Sequence, residues 1–500
     1  MQNSLWPRIS IFTLWTLLGA TTIALGAIVF GEPMTLNLFD AFVFGSPLSF
    51  GLRLDPLSVS LLLMASFLGV VVGQYSIRYM NGEARIGDFF KNLLFTVVSV
   101  CLLVTSSNLI MFFAFWLAMS WSLHRLLIFY SNRTNAVYAA RKKFIISRIG
   151  DLFLLVAIWL VHRSFGTFDF QEIFYSAAGT LSNDQVNLLD WAGLFFVLGA
   201  MTKSAQVPFH FWLPETMETP TPVSALMHAG IINAGGFLVL RFSPLISQAH
   251  FASLLLASVG ALTAAYASMV MVTQNDIKRK LAYSTISQMG LMMFACGIGA
   301  YSLALFHILA HSLYKAHAFL STGDLVEESK KLSLPLEAIK PLAMSFVIGA
   351  GLGIVITGLF FKSGFYLPEF TYGAVLFLGL SQNAENFTVA GKYRRRTLAL
   401  IVSILVVGLG TYLLMETLLK EFLETQLVGS RTLIGPSDPL FLISITGYGI
   451  FAFGLWLANG LMKPVSTFDR ALYIHFWNGS YFSVASTRFL ARLWPARKAS

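Results

Sequence analysis

Apolar runs approaching or exceeding 18 residues recur along nearly the whole chain. They lie near residues 10–30, 56–77, 92–115, 152–161 with its flanks, 188–202, 223–242, 251–273, 281–300, 302–320, 341–361, 397–417 and 439–461. An unpaired backbone group is too costly in hydrocarbon for anything but helices or closed barrels to span it. A barrel would show short alternating segments, whereas a helix needs roughly 20 apolar residues. The pattern therefore predicts an all-α polytopic membrane protein with about 13–14 transmembrane helices, some of them broken. Composition agrees: 12% of residues are charged, against roughly 25% in a soluble domain.

The first apolar run is about twenty residues long and lacks a clean small-residue cleavage site, so it is read as a retained helix rather than a signal peptide. Asp55 and Pro56 suit the start of the second helix, one as cap and the other at the first position. Residues 30–58 between these two helices read as a Gly/Pro-containing loop. Cys101 and Cys296 fall in separate apolar runs and imply neither a disulfide framework nor a thiolate metal site. The net charge of +10 gathers in RTNAVYAARKK, DIKRK and KYRRR. These read as cytoplasmic loops that obey the positive-inside rule, not as nucleic-acid contacts.

Against this background the segment from Lys203 to Gly236 stands out. It carries Lys203, Glu215, Glu218, His210 and His228, with prolines at 208, 214, 220 and 222. Proline breaks a helix, and a break at membrane depth is tolerated only against protein or a watery cavity, where transporters place ion sites. A lysine held out of water can take up or release a proton; the alternative is a lysine snorkelling to the interface. Glu215 and Glu218 are either path carboxylates or interfacial loop charges. His228, among small residues, is a relay group or a packed histidine. Upstream, Asp151 opens an apolar helix, and either tunes Lys203 or caps the helix dipole. His124 and Arg125 lie near a helix end, where both can snorkel; the alternative for His124 is a place on the ion path. Lys278 belongs to a basic segment in which one residue can turn inward.

A second polar group, His307, His311 and Lys315, recurs at spacings of four and so lines one helix face. Imidazole donates and accepts near neutral pH, which suits a proton column; a lysine on the same face argues against a bound cation. Further on, Lys362, Ser363 and Pro368 echo Lys203, Ser204 and Pro208, as paired broken helices of an internal repeat would. Glu385 and Lys392 are end members of a second-half path or loop charges. The aromatic and arginine-rich segment RALYIHFWNGSYFSVASTRFLARLW suits a membrane-surface helix or a docking tail.

The segments KSAQVPFHFWLPETMETPTPVSALMHAG, QNDIKRKLAYSTISQMG and FHILAHSLYKAHAFL resemble the antiporter-like subunits of respiratory complex I and the Mrp antiporters. The resemblance implies two inverted five-helix repeats. It divides the chain into N-terminal anchoring helices (1–90), a first antiporter-like repeat (91–245), a second (246–420), and a C-terminal helix with a membrane-surface tail (421–500). It also implies Lys203 as the buried lysine, His228 as a bridging histidine, and His307, His311 and Lys315 as a linking column, with Asp151 on the same axis. Where the family has a glutamate after the tryptophan, Trp116 is followed by Leu117, so Lys203 lacks its expected counter-ion.

That departure, with WSLHRLL and the ending RALYIHFWNGSY, resembles the membrane subunits of DAB-type inorganic carbon transporters. The resemblance implies a proton- or sodium-conducting subunit of the bacterial inner membrane, carrying no cofactor and no catalytic chemistry of its own. It also implies a large, mainly soluble, zinc-bearing, carbonic-anhydrase-like (DabA-like) partner, where ion flow drives CO2 hydration. The competing expectations are a proton-pumping subunit of an NADH-linked redox complex and an Mrp-type Na+/H+ antiporter subunit.

Overall fold

The computed structural model describes residues 5–43, 46–322 and 466–493, with isolated positions between 414 and 461. Helix α1 (Trp6–Val29) leads into a hairpin, β1 (Met34–Val43) and β2 (Ser46–Leu54). Then follow α2 (Pro56–Tyr79), α3 (Ile86–Val104), α4 (Leu109–Leu127), α5 (Thr134–Phe165), the short α6 (Phe170–Ala177) and α7 (Asn183–Lys203). After 3-10 turns at Phe209–Trp212 and Pro214–Glu218 come α8 (Thr221–Ala229), α9 (Ala234–Arg241) and α10 (Ser243–Ile246). The described part continues through α11 (His250–Thr273), α12 (Ile277–Gly297) and α13 (Tyr301–Leu320), and closes with α14 (Thr467–Trp477) and α15 (Phe482–Leu493). Eight helical stretches among the described residues are long and apolar enough to cross a membrane: α1 to α5, α7, the Thr221–Arg241 stretch shared by α8 and α9, and α11. Helices α12 and α13, of 21 and 20 residues, match them in length but hold no comparably apolar 18-residue stretch.

The helix starts follow from local chemistry. Asp55 accepts from the Ser58 amide at 2.8 Å with Pro56 next to it, as the sequence implies. Asn108 caps α4 through Met111 N, Asp276 caps α12 through Arg279 N, and Ser182 forms a capping box with Gln185 on α7. Such caps satisfy the amides that the first helical turn leaves unpaired.

Two stretches differ from the sequence reading. Residues 30–58 are not simply loop: β1 and β2 pair antiparallel from Met34↔Leu54 to Val43↔Ser46, with an irregularity at Asn37/Phe39. Alternating Leu, Phe and Ser residues supply the period of two. The hairpin lies over the end of α3, where Arg53 N donates to Thr105 O at 2.7 Å and Asn108 Nδ2 to Ser49 O at 2.8 Å. The segment RTNAVYAARKK is not a loop either: all but Arg133 belongs to α5, which runs for 32 residues. Because α5 is longer than the roughly 20 residues a span needs, its charged first third continues the helix instead of ending it.

Small residues set the helix spacing. A methyl built on Gly290 would stand 2.5 Å from Ala264 N, and one on Gly260 would stand 2.4 Å from Phe294 N, so α11 and α12 touch backbone to backbone. Gly150 of α5 faces Thr202 of α7 as closely, with Thr202 Oγ1 2.0 Å from where a methyl would sit. Close approach of this kind is the usual basis of helix association in lipid. It brings Asp151 and Lys203, each next to one of these contact residues, together.

Candidate ion path

The first cluster lies between α4, α5 and α7. Trp116, Ser120 and His124 recur at spacings of four on α4, and each meets a group on antiparallel α5. Trp116 Nε1 donates to Asp151 Oδ1 at 2.9 Å. Lys143 Nζ donates to Ser120 O at 2.7 Å and to Ser120 Oγ at 3.0 Å, and the His124 ring lies 5.1 Å from that of Phe144. Lys203, buried at the end of α7, holds its ammonium 4.4 Å from the Trp116 ring centroid, a cation–π contact. Its Nζ has no hydrogen-bond partner within the described protein. Arg148 reaches Asp151 Oδ2 at 2.7 Å. Among the described residues a single carboxylate, Asp151, thus stands with Lys203, Arg148 and Lys143. Leu117 is half-buried beside this face, and Trp116 is the α4 residue that contacts Asp151.

The second cluster is built by α8 and α13. His228 is fully buried, its ring stacked on Phe319 at 4.4 Å, and neither ring nitrogen has a hydrogen-bond partner among the described residues. His307 and His311 lie parallel at 5.9 Å. His311 hydrogen-bonds the His228 main chain and has Lys315, His307 and His228 as its charged or titratable neighbours. Lys315 Nζ donates to Leu281 O at 3.2 Å. The sequence-derived column therefore forms, with His228 facing it.

The break between α8 and α9 joins the clusters. Ser204, next to Lys203, donates to Ile232 O at 2.7 Å. Asn233 Nδ2 donates to Ser312 Oγ and to Ala229 O, both at 2.8 Å, and Ser312 neighbours His311 along α13. A cavity of about 40 Å³ beside Asn233 and Ser312 reaches Met119 of α4. The prolines thus give one break and Gly230 a second, unforeseen one: a break inside an apolar run carries no polar or proline signal.

Glu215 belongs to neither cluster. It pairs with Lys142 and Ser483, and Lys142 also donates to Ser483 O at 2.9 Å and to Thr487 Oγ1 at 2.5 Å. Glu215, Ser483 and Thr487 wall an open cavity of about 550 Å³ that also takes in Arg133, Glu218 and Asp276, and Lys278 turns inward to Thr221 Oγ1 at 3.3 Å. Tyr130, on its rim, donates to Glu83 Oε1 at 2.8 Å. Burial first, then that bond, pushes its phenol up to about 12, so it remains a neutral donor. Lys362, Glu385 and Lys392 lie outside the described residues.

Sequence reasoning missed Lys142, Lys143 and Arg148 as site residues: the two lysines end a basic run read as a topology signal, and Arg148 follows that run. The signal was present: Lys143, Ser147 and Asp151 recur at spacings of four on one helix face.

The family model described as NADH:quinone oxidoreductase/Mrp antiporter, TM, matches residues 106–358, and that of the complex I chain 5 N-terminus matches residues 42–90. The chain belongs to this antiporter-like family of multi-pass membrane proteins. Within it, the chain is 35% identical over 473 residues to the probable inorganic carbon transporter subunit DabB2 of Halothiobacillus neapolitanus, covering 90% of this chain and 82% of that one. NADH-ubiquinone oxidoreductase chain 5 of Cryphonectria parasitica is also 35% identical, over 363 residues, 70% of this chain and 54% of that one. The fold resembles the solved Mrp complex of Dietzia sp. DQ12-45-1b, with a TM-score of 0.57, 22% identity, and coverage of 99% of this chain and 56% of that one.

Proposed function

We propose that this chain is the cation-conducting subunit of an energy-coupled, inorganic-carbon-accumulating complex of the bacterial inner membrane. The observation that carries the reading is the length of the match. Similarity to the carbon transporter subunit extends over 82% of that relative, whereas the chain 5 match extends over 54% of its relative. The buried ionisable groups support conduction, since such groups are costly in a bilayer and mark ion routes. In this reading Lys203 holds the proton against Trp116 and Asp151, and His228, His311, His307 and Lys315 carry it along α13. The partner is a large, mainly soluble, carbonic-anhydrase-like subunit. Its zinc supplies the CO2 hydration that this chain's residues do not perform.

The test is mass spectrometry, with metal analysis, of what co-purifies with the chain from its native membrane in mild detergent. One large zinc-bearing companion is expected. Flavin and iron–sulfur subunits would instead make the chain a redox pump, the reading favoured by its chain 5 relatives. Replacement of Lys203 by alanine is expected to abolish bicarbonate uptake while leaving the complex assembled; normal uptake in that variant would remove the lysine from the path.

A further inference from the structure

We propose that Lys143 is a second proton-carrying amine, an intermediate station between the charged cavity and Lys203, on the helix pair where the counter-carboxylate expected at position 117 is absent. This rests on the conduction reading above. The position of Lys143 along α5 carries the argument. Asn135 and Tyr138, near the start of that helix, line the cavity of about 550 Å³. Lys142 is tied to Glu215 on the cavity wall. Lys143 then turns the other way into the bundle, 2% exposed, and Asp151 follows eight residues later beside Lys203. Eight residues of helix rise about 12 Å, so Lys143 lies at intermediate depth.

Its surroundings suit a group that gains and loses a proton. The ammonium donates to two acceptors on one residue, Ser120 O and Oγ, and makes no ion pair among the described residues. The groups that face it are Ser120 and His124 from α4, Arg148 and Asp151 from α5, and Lys203 from α7. With Arg148 permanently charged and in contact with Asp151, two lysines share what remains of one carboxylate. Like charges held out of water disfavour double protonation, so the pair exchanges a proton more readily than it holds two. When an incoming proton reaches Lys143, the amine becomes an ammonium; its return to the amine passes that proton on to Lys203. The proton and its charge are conserved at each transfer. His124, one turn beyond Ser120 towards the cavity, is placed to load it.

The experiment compares wild type, Lys143→Arg, Lys143→Gln and Lys203→Ala in the complex purified from its native membrane and reconstituted in liposomes. The rate of dye-reported proton flux under an imposed pH gradient is recorded from pH 6 to 9. Arginine keeps the donors to Ser120 but does not release a proton. Lys143→Arg is therefore expected to assemble and to lose flux on the order of a hundredfold, and Lys143→Gln to lose flux with one ionisation missing from the pH profile. Wild-type flux and profile in Lys143→Arg, with Lys203→Ala inactive, would make Lys143 a structural tie and overturn the proposal alone. Wild-type flux in Lys203→Ala would overturn the conduction reading itself.

Discussion

Arg241 and Asp55 show how much one side chain can fix in a membrane protein. Asp55 caps α2, accepts from Arg53 Nε at 2.7 Å, and receives Arg241 Nη1 and Nη2 at 2.6 and 3.3 Å. Arg241 also donates to Ser58 Oγ. Burial alone would raise this carboxyl, but Arg241 and then Arg53 outweigh it and hold it well below the usual range. Removing one partner of a buried pair strands the other charge, so Asp55→Ala is expected to cost about 3–5 kcal/mol, measurable as earlier thermal unfolding in detergent. Because the folded carboxyl is depressed, its contribution is complete above the unfolded value near 3.9 and fades as pH falls through the folded one. The gap in stability between wild type and Asp55→Asn should therefore stay constant from about pH 5 to 8 and narrow only below about pH 4. The cap was legible from Asp-Pro alone. The pairing was not, since Arg241 lies 186 residues away and only the fold brings it there.

Helix α5 is the element on which the sequence reading and the structure differ most. Its apolar second half was plain, as was Asp151, because both stand out against their neighbours. Its first third, with Arg141, Lys142 and Lys143 in a row, carried the composition of a loop, and charge count masked a helical period that continues unbroken. The central proline-rich break was legible for the opposite reason, since proline acts on the backbone whatever surrounds it. The contact that aligns α5 with α7 is sensitive to a single methyl. Gly150→Ala places a carbon 2.0 Å from Thr202 Oγ1 and 3.0 Å from its Cβ, a clash that turning the stiff threonine does not fully relieve, so the helices are expected to part and draw Asp151 from Lys203. A large loss of ion flux is expected, with partial recovery on adding Thr202→Ala, which removes the clashing oxygen. Flux in reconstituted liposomes reads both variants.

The molecule as a whole is closed by its distant end. Helices α14 and α15 return to the described bundle beside the open cavity: Gln274 Nε2 donates to Trp477 O at 3.2 Å, and Ser483 and Thr487 cover the Lys142–Glu215 pair. The sequence reading of this segment, a surface helix or a docking tail, did not extend to these contacts, since one made across 341 residues leaves no local trace. Removing residues 482–500 is expected to expose Lys142, whose side chain is fully buried in the intact chain. Mass spectrometry after treatment with an amine-reactive reagent should find Lys142 modified in the shortened protein and protected in the full one.

The same long contact sets an order of events during synthesis. At roughly 5–20 residues per second, Ser483 leaves the ribosome some tens of seconds after Lys142. The opening is framed early and shuttered last, so a nascent chain waits through most of its making with that ion pair uncovered.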